Sequence, residues 1–281
     1  MKPRAIKNLN QLPFNEFITQ ISIGLGKVHE NCVAQKNTFN ILVENNDVRG
    51  SRIIKSFLEE ESAKYLILLD SVRCPWKDKE LLNNQLIKFN SHLAKHLYAH
   101  ICACSPATYQ EIKNIIENES KSHYLDGPND VDWIFRNSIM AKREENIYVD
   151  YVSYSDGIHA WITPKPHPQD PELCFGISDN IKIFNMVDAL HRIGISSYKA
   201  LTLFSNFWEK FEYSENTHYQ TFRKATIESI QALEDSEELN HFENEGEFYS
   251  LILNELPFPL YKENMKEKDI KVADLMEIQK S

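Results

Sequence analysis

The chain has 281 residues, 42% hydrophobic and 11% aromatic, which supplies a sizeable core and excludes a disordered chain. Its 8 glycines and 11 prolines are too few for the turns of an all-β protein, and no glycine-rich phosphate-cradling loop is present. With 31 basic and 41 acidic side chains the net charge is −10, which excludes a uniformly basic coat for nucleic acid but not a local basic patch.

The 5 cysteines, at 32, 74, 102, 104 and 174, form no pair of Cys-x-x-Cys motifs, so neither a disulfide scaffold nor a zinc ribbon is indicated. No apolar leader follows the first residues, and no uncharged apolar run approaches the length of about 18 that a membrane span needs. The expected setting is the cytoplasm, with no membrane partner.

In chain order, Phe14, Phe17, Ile18, Ile21 and Leu25 follow a helical rhythm that extends through Val28, Cys32 and Phe39. A second helix is predicted from about Asp47 to Asp70, with Asp47 as its N-cap and Pro75 beyond its end. A third starts near Asp78 and carries Leu82, Leu86, Phe89, Leu93, Leu97 and Ile101 as one stretch. Three long helices joined by short connections predict an antiparallel bundle. A shorter helix over 107–119 leads to the polar turn 126–130, and a further helix is expected over 131–146. Then Ile147–Val152 and Ala160–Thr163, rich in β-branched and aromatic residues around Asp156-Gly157, predict a short extended hairpin.

The proline-broken run 164–171 cannot be helix interior and sets a boundary. Residues 1–177 hold 20 basic and 22 acidic side chains, a net of −2, whereas 178–281 hold 11 and 19, a net of −8. The expectation is a helical domain over 1–177 and an acidic helical region over 178–281, with helices at about 179–193, 197–213, 217–235 and 245–255.

Chemistry-bearing residues concentrate on two of these helices. Glu60, Glu61 and Lys64 share a face at i+3 and i+4 spacing. They read either as a solvated ion pair or as a polar wedge in an otherwise apolar helix, facing a bundle interior or a dimer. On the third helix His92, His96 and His100 recur every fourth residue with Lys95 beside them. This stripe suits a solvent-facing polar face, acid–base chemistry near neutrality or, more remotely, metal binding. Leu93 stands where a zinc protease motif needs Glu. Asp188-x-x-His191, Glu215-x-x-His218 and Glu238-x-x-His241 repeat the ligand grammar of di-iron bundles, but so acidic a chain yields such pairs by chance.

Three segments together resemble the AbiV family of bacterial abortive-infection proteins, a branch of the HEPN superfamily of helical nucleases. They are Arg49-Gly-Ser-Arg-Ile-Ile-Lys-Ser-Phe-Leu-Glu-Glu-Glu-Ser-Ala-Lys64, then Phe89-Asn-Ser-His92-Leu-Ala-Lys95, and Lys142-Arg143-Glu-Glu-Asn-Ile-Tyr148-Val-Asp150-Tyr followed by Trp161 and Pro164. The resemblance covers about residues 12–165. It implies a HEPN-like helical domain that forms a homodimer and acts on RNA; with the extended excursion and the C-terminal helices read from the chain's own pattern, the expected fold is an all-α, HEPN-like antiparallel bundle with a short extended excursion and additional C-terminal helices. In nuclease members an Arg-x(4–6)-His motif from each protomer meets across the interface, and the RNA's 2′-OH attacks the adjacent phosphate without a metal. None of the eight arginines here has a histidine at that spacing; Lys95-x(4)-His100 is the nearest imitation.

The expected function is therefore that of an antiphage effector, a metal-independent endoribonuclease acting on RNA or the ribosome, with a phage-encoded activator as a further partner. The catalytic set implied is His92, Lys95, Glu60, Glu61, Lys64 and Arg143. His96, His100, Tyr148, Asp150 and Trp161 bind RNA or shape the site, and no metal or cofactor is expected. The alternative is a HEPN-like interaction protein without catalysis.

Overall fold

A computed structural model describes residues 5–121, 123–126, 134–137, 147–153, 159–164, 178–241 and 245–268. The chain is predominantly helical. After a 3₁₀ turn at Ile6–Gln11, α1 spans Phe14–Glu44 and buries Phe17, Ile18, Ile21, Leu25, Val28, Cys32 and Phe39, the face the sequence rhythm marks. Asn46 takes a positive φ of 55°, which reverses the chain, and the Asp47 side chain accepts from the Gly50 amide to start α2, Val48–Arg73.

The single third helix expected from Asp78 to Ile101 is two helices, α3 (Lys79–Lys88) and α4 (His92–Cys104). Ser91 caps α4 by accepting from Ala94 N at 3.2 Å, so its hydroxyl competes with helix continuation. The break reverses direction. Gln85 donates to Ile67 O, and Lys64 lies over the Phe89 ring, so α3 runs antiparallel to α2. Glu60 meets His92 and Asp70 meets Tyr98, so α4 returns parallel to α2. The apolar spacing continues across residues 89–91 because both helices bury the side facing α2, which hides the reversal from a periodicity reading.

Helix α5 spans Tyr109–Lys121. Two antiparallel hairpins follow: β1 (His123–Asp126) with β2 (Ile134–Asn137), and β3 (Asp150–Ser153) with β4 (His159–Ile162). The second is the extended excursion expected from sequence. The first corrects the helix expected over 131–146, whose residues 134–137 are strand; Ile134 and Phe135, β-branched and aromatic, favour a strand where β1 pairs alongside them. The rest of that expected helix lies outside the described residues.

Helices α6 (Lys182–Arg192), α7 (Tyr198–Trp208), α8 (Tyr219–Asp235) and α9 (Glu245–Glu255) match the sequence expectation, with α7 ending earlier at Trp208. Helix α6 packs on α1, α2, α4 and α9, and α7 on α1, α2 and α8. One hydrophobic cluster runs from Phe17 to Met265 and includes residues on both sides of the proline-rich segment. A strap after α9 buries Leu256, Phe258, Leu260 and Tyr261 against it. No described helix is long and apolar enough to cross a membrane.

Candidate functional site

The α3–α4 reversal places His92 in the first turn of α4, opposite the middle of α2. Glu60 projects from α2 into this junction and is only 6% exposed. Three side chains of α4 converge on its carboxylate. His92 Nδ1 lies 2.9 Å from Oε2 and 3.2 Å from Oε1, the Lys95 ammonium ion-pairs with Oε2, and His96 Nε2 lies 3.4 Å from Oε1. The His96 contact lacks hydrogen-bond geometry. Residues at i, i+3 and i+4 of one helix thus share one carboxylate on another.

Burial by itself raises the pKa of the Glu60 carboxyl. The contacts with His96 and Lys95 and the charges of Lys95 and His92 outweigh burial and hold it far below the usual carboxylate range. An ionised carboxylate only accepts, so His92 Nδ1 carries the proton in the neutral ring, and proton exchange with a substrate would use Nε2. His92 keeps 40% of its side chain exposed, whereas Lys95 keeps 6%. The cluster therefore combines an oriented, accessible imidazole with a buried cation and anion behind it.

The other expected site residues take different places. Glu61 and Lys64 pair with each other at 2.6 Å, and the Lys64 ammonium lies 5.4 Å from the Phe89 ring centroid. His100 is exposed at the far end of α4, its Nε2 3.5 Å from Cys104 Sγ. Tyr148 and Trp161 are exposed, Trp161 to 70%, and Trp161 stands across the hairpin from Tyr151 with ring centroids 5.1 Å apart. Asp150 opens β3 opposite Ile162. Arg143 lies outside the described residues. Arg49 Nη2 donates to Ile147 O, tying the segment before the aromatic hairpin to the start of α2.

Two polar clusters escaped the sequence reading. Asp70 and Arg73 form an ion pair with both side chains fully buried. Asp70 also accepts from Tyr98 OH at 2.6 Å and Leu260 N at 2.8 Å, while Arg73 Nη1 donates to Pro257 O. The i+3 spacing of opposite charges at the end of an apolar run was the available signal. The second joins α1 to α6: His29 Nε2 lies 2.9 Å from Asp188 Oδ1, and the His29 and His191 rings stack at 3.9 Å. The sequence marks Asp188 and His191 only as an acid–histidine pair expected by chance, and nothing local signals their meeting with His29, because 159 positions separate His29 from Asp188.

The di-iron pattern does not assemble. Asp188 pairs with His29 and Arg192, Glu215 with Lys113, and Glu238 with Lys199. Among the described residues no group of three His, Cys, Asp or Glu is placed to hold a metal ion. Compared with known proteins, the chain matches no family model, and no curated protein or solved structure matches it at significance.

Proposed function

We propose that the chain is an antiphage abortive-infection effector of the AbiV type, with a HEPN-like bundle, acting as a metal-independent endoribonuclease on RNA of the translation machinery. The observation that carries this reading is the exposed His92 imidazole fixed through Nδ1 by buried Glu60, itself neutralised by Lys95. In the proposed reaction the ribose 2′-oxygen bonds to the adjacent phosphorus and the bond to the 5′-oxygen breaks. His92 Nε2 takes the 2′-OH proton or protonates the leaving oxygen. Lys95 serves less as a direct phosphate clamp than as a positioning residue, since its ammonium is spent on Glu60. The phosphate's cation would then come from Lys64, Arg143 or a second protomer, with the homodimer bringing two such clusters together. Trp161 and Tyr148, both exposed aromatics, suit stacking on unpaired bases.

A second reading, an interaction protein without catalysis, is favoured by the mutual neutralisation of Glu60 and Lys95 and by the exposed aromatic hairpin. Incubating total RNA or ribosomes with purified protein and chelator, with and without infected-cell extract, separates the two. Discrete new RNA ends that vanish in His92→Ala, with a loss of about 10²–10⁴-fold in rate, support the nuclease. Intact RNA in every condition refutes it and leaves the binder.

A further inference from the structure

We propose that the cleft between α3 and the C-terminal strap binds a small phosphorylated ligand of nucleoside monophosphate size. This inference is independent of the ribonuclease reading.

The strap is held to the core at two backbone positions, Pro257 O by Arg73 and Leu260 N by Asp70. Its residues 261–266 face α3 and Ser91 across a cavity of about 320 Å³. That volume lies within the roughly 300–1,000 Å³ of small-ligand sites. Lys88, at the end of α3, lines it while being only 4% exposed.

Lys88 Nζ donates to Gln85 Oε1 at 2.9 Å and to Leu260 O at 2.7 Å. Both are neutral acceptors, and no described carboxylate stands within ion-pair distance. A buried ammonium with neutral partners keeps an uncompensated charge and a third donor. The charged groups that bear on it are Asp70, already matched by Arg73, and Glu263 on the strap, with the Cys74 thiol nearby. Burial pushes the Lys88 pKa down to about 8 despite these groups.

The rest of the lining offers donors for a phosphate and apolar surface for a ring. Ser91 caps α4 with its oxygen as acceptor, so its hydroxyl proton can be donated to a ligand, at a helix end whose dipole favours anions. Lys266 adds a second cation. Lys262 also lines the cleft, but its ammonium is engaged by Tyr213 O and the Tyr213 ring. Glu263 is the one acid of the lining against three lysines, in a chain whose net charge is −10. Leu81, Tyr261 and Met265 supply the apolar wall that a base would cover.

The test is calorimetric titration of the full chain with the four common nucleoside monophosphates, the matching nucleosides and inorganic phosphate. At least one monophosphate is expected to bind about tenfold or more tightly than its nucleoside and than phosphate alone, and to weaken as pH rises through 8. Lys88→Met is expected to reduce that affinity by about tenfold or more. Should Lys88→Met fail to fold, Lys266→Glu, an exposed change, must weaken binding several-fold. The proposal is overturned if no monophosphate binds, if nucleoside or phosphate binds equally well, or if binding ignores the substitution.

Discussion

The Glu60 carboxylate and the His92 imidazole, 32 positions apart in sequence, meet at 2.9 Å where α4 begins its return along α2. Behind them the Lys95–Glu60 pair is buried, so removing either partner strands a charge. Glu60→Gln or Lys95→Met alone should each cost about 3–5 kcal/mol in urea unfolding, whereas Glu60→Leu with Lys95→Met should recover much of that loss. Additive losses to within about 0.5 kcal/mol would mean the pair does not act as a unit.

Asp70 and Arg73 secure the C-terminal strap by the same physics with no exposure at all. Asp70→Ala leaves the Arg73 guanidinium without its carboxylate and the Leu260 amide without its acceptor, at a cost of about 3–5 kcal/mol. Hydrogen exchange should show Leu260 losing protection first, with proteolysis of the strap preceding global unfolding; unchanged protection there would contradict the anchoring role.

Burial and, next, the neighbouring His29 charge push the His191 pKa from 6.5 down to about 4. The folded state thus prefers the neutral ring, and between those values the unfolded chain binds more protons. The stability is fully present above pH 6.5 and is lost as pH falls towards 4. The full shift corresponds to about 3 kcal/mol, which partial exposure reduces to roughly 1–2 kcal/mol. Urea unfolding across that window should show this decline, and His191→Phe should flatten it.

Trp161 is 70% exposed on β4, so Trp161→Ala should change stability by less than about 0.5 kcal/mol. If the hairpin stacks on unpaired bases, the same substitution should weaken binding of single-stranded RNA by roughly 5- to 150-fold, the equivalent of about 1–3 kcal/mol per base. Fluorescence anisotropy with a labelled oligonucleotide measures it, and equal affinity for both proteins removes the hairpin from RNA binding.

Much of the helical order was legible in local pattern. The buried face of α1, the Asp47 cap of α2 and the β3–β4 hairpin each depend on neighbours within a few residues, which sequence displays directly. The Ser91 break was not legible from spacing alone, because α3 and α4 continue one apolar rhythm across it. The helix expected over 131–146 fails at residues 134–137 for a related reason: a short run of aromatic and β-branched residues has no decisive period until its partner strand is known.

Composition and spacing by themselves established a predominantly helical chain with its acid–base residues gathered on two segments. They also placed Glu60, His92 and Lys95 among the candidates. Only the tertiary structure decided that these three converge while His100 stands apart, and that Lys88, Asp70 and Arg73 carry buried charge. The reason is that a helix fixes only what lies three or four residues away, whereas a carboxylate's partners are chosen by which helix packs against it and in which direction.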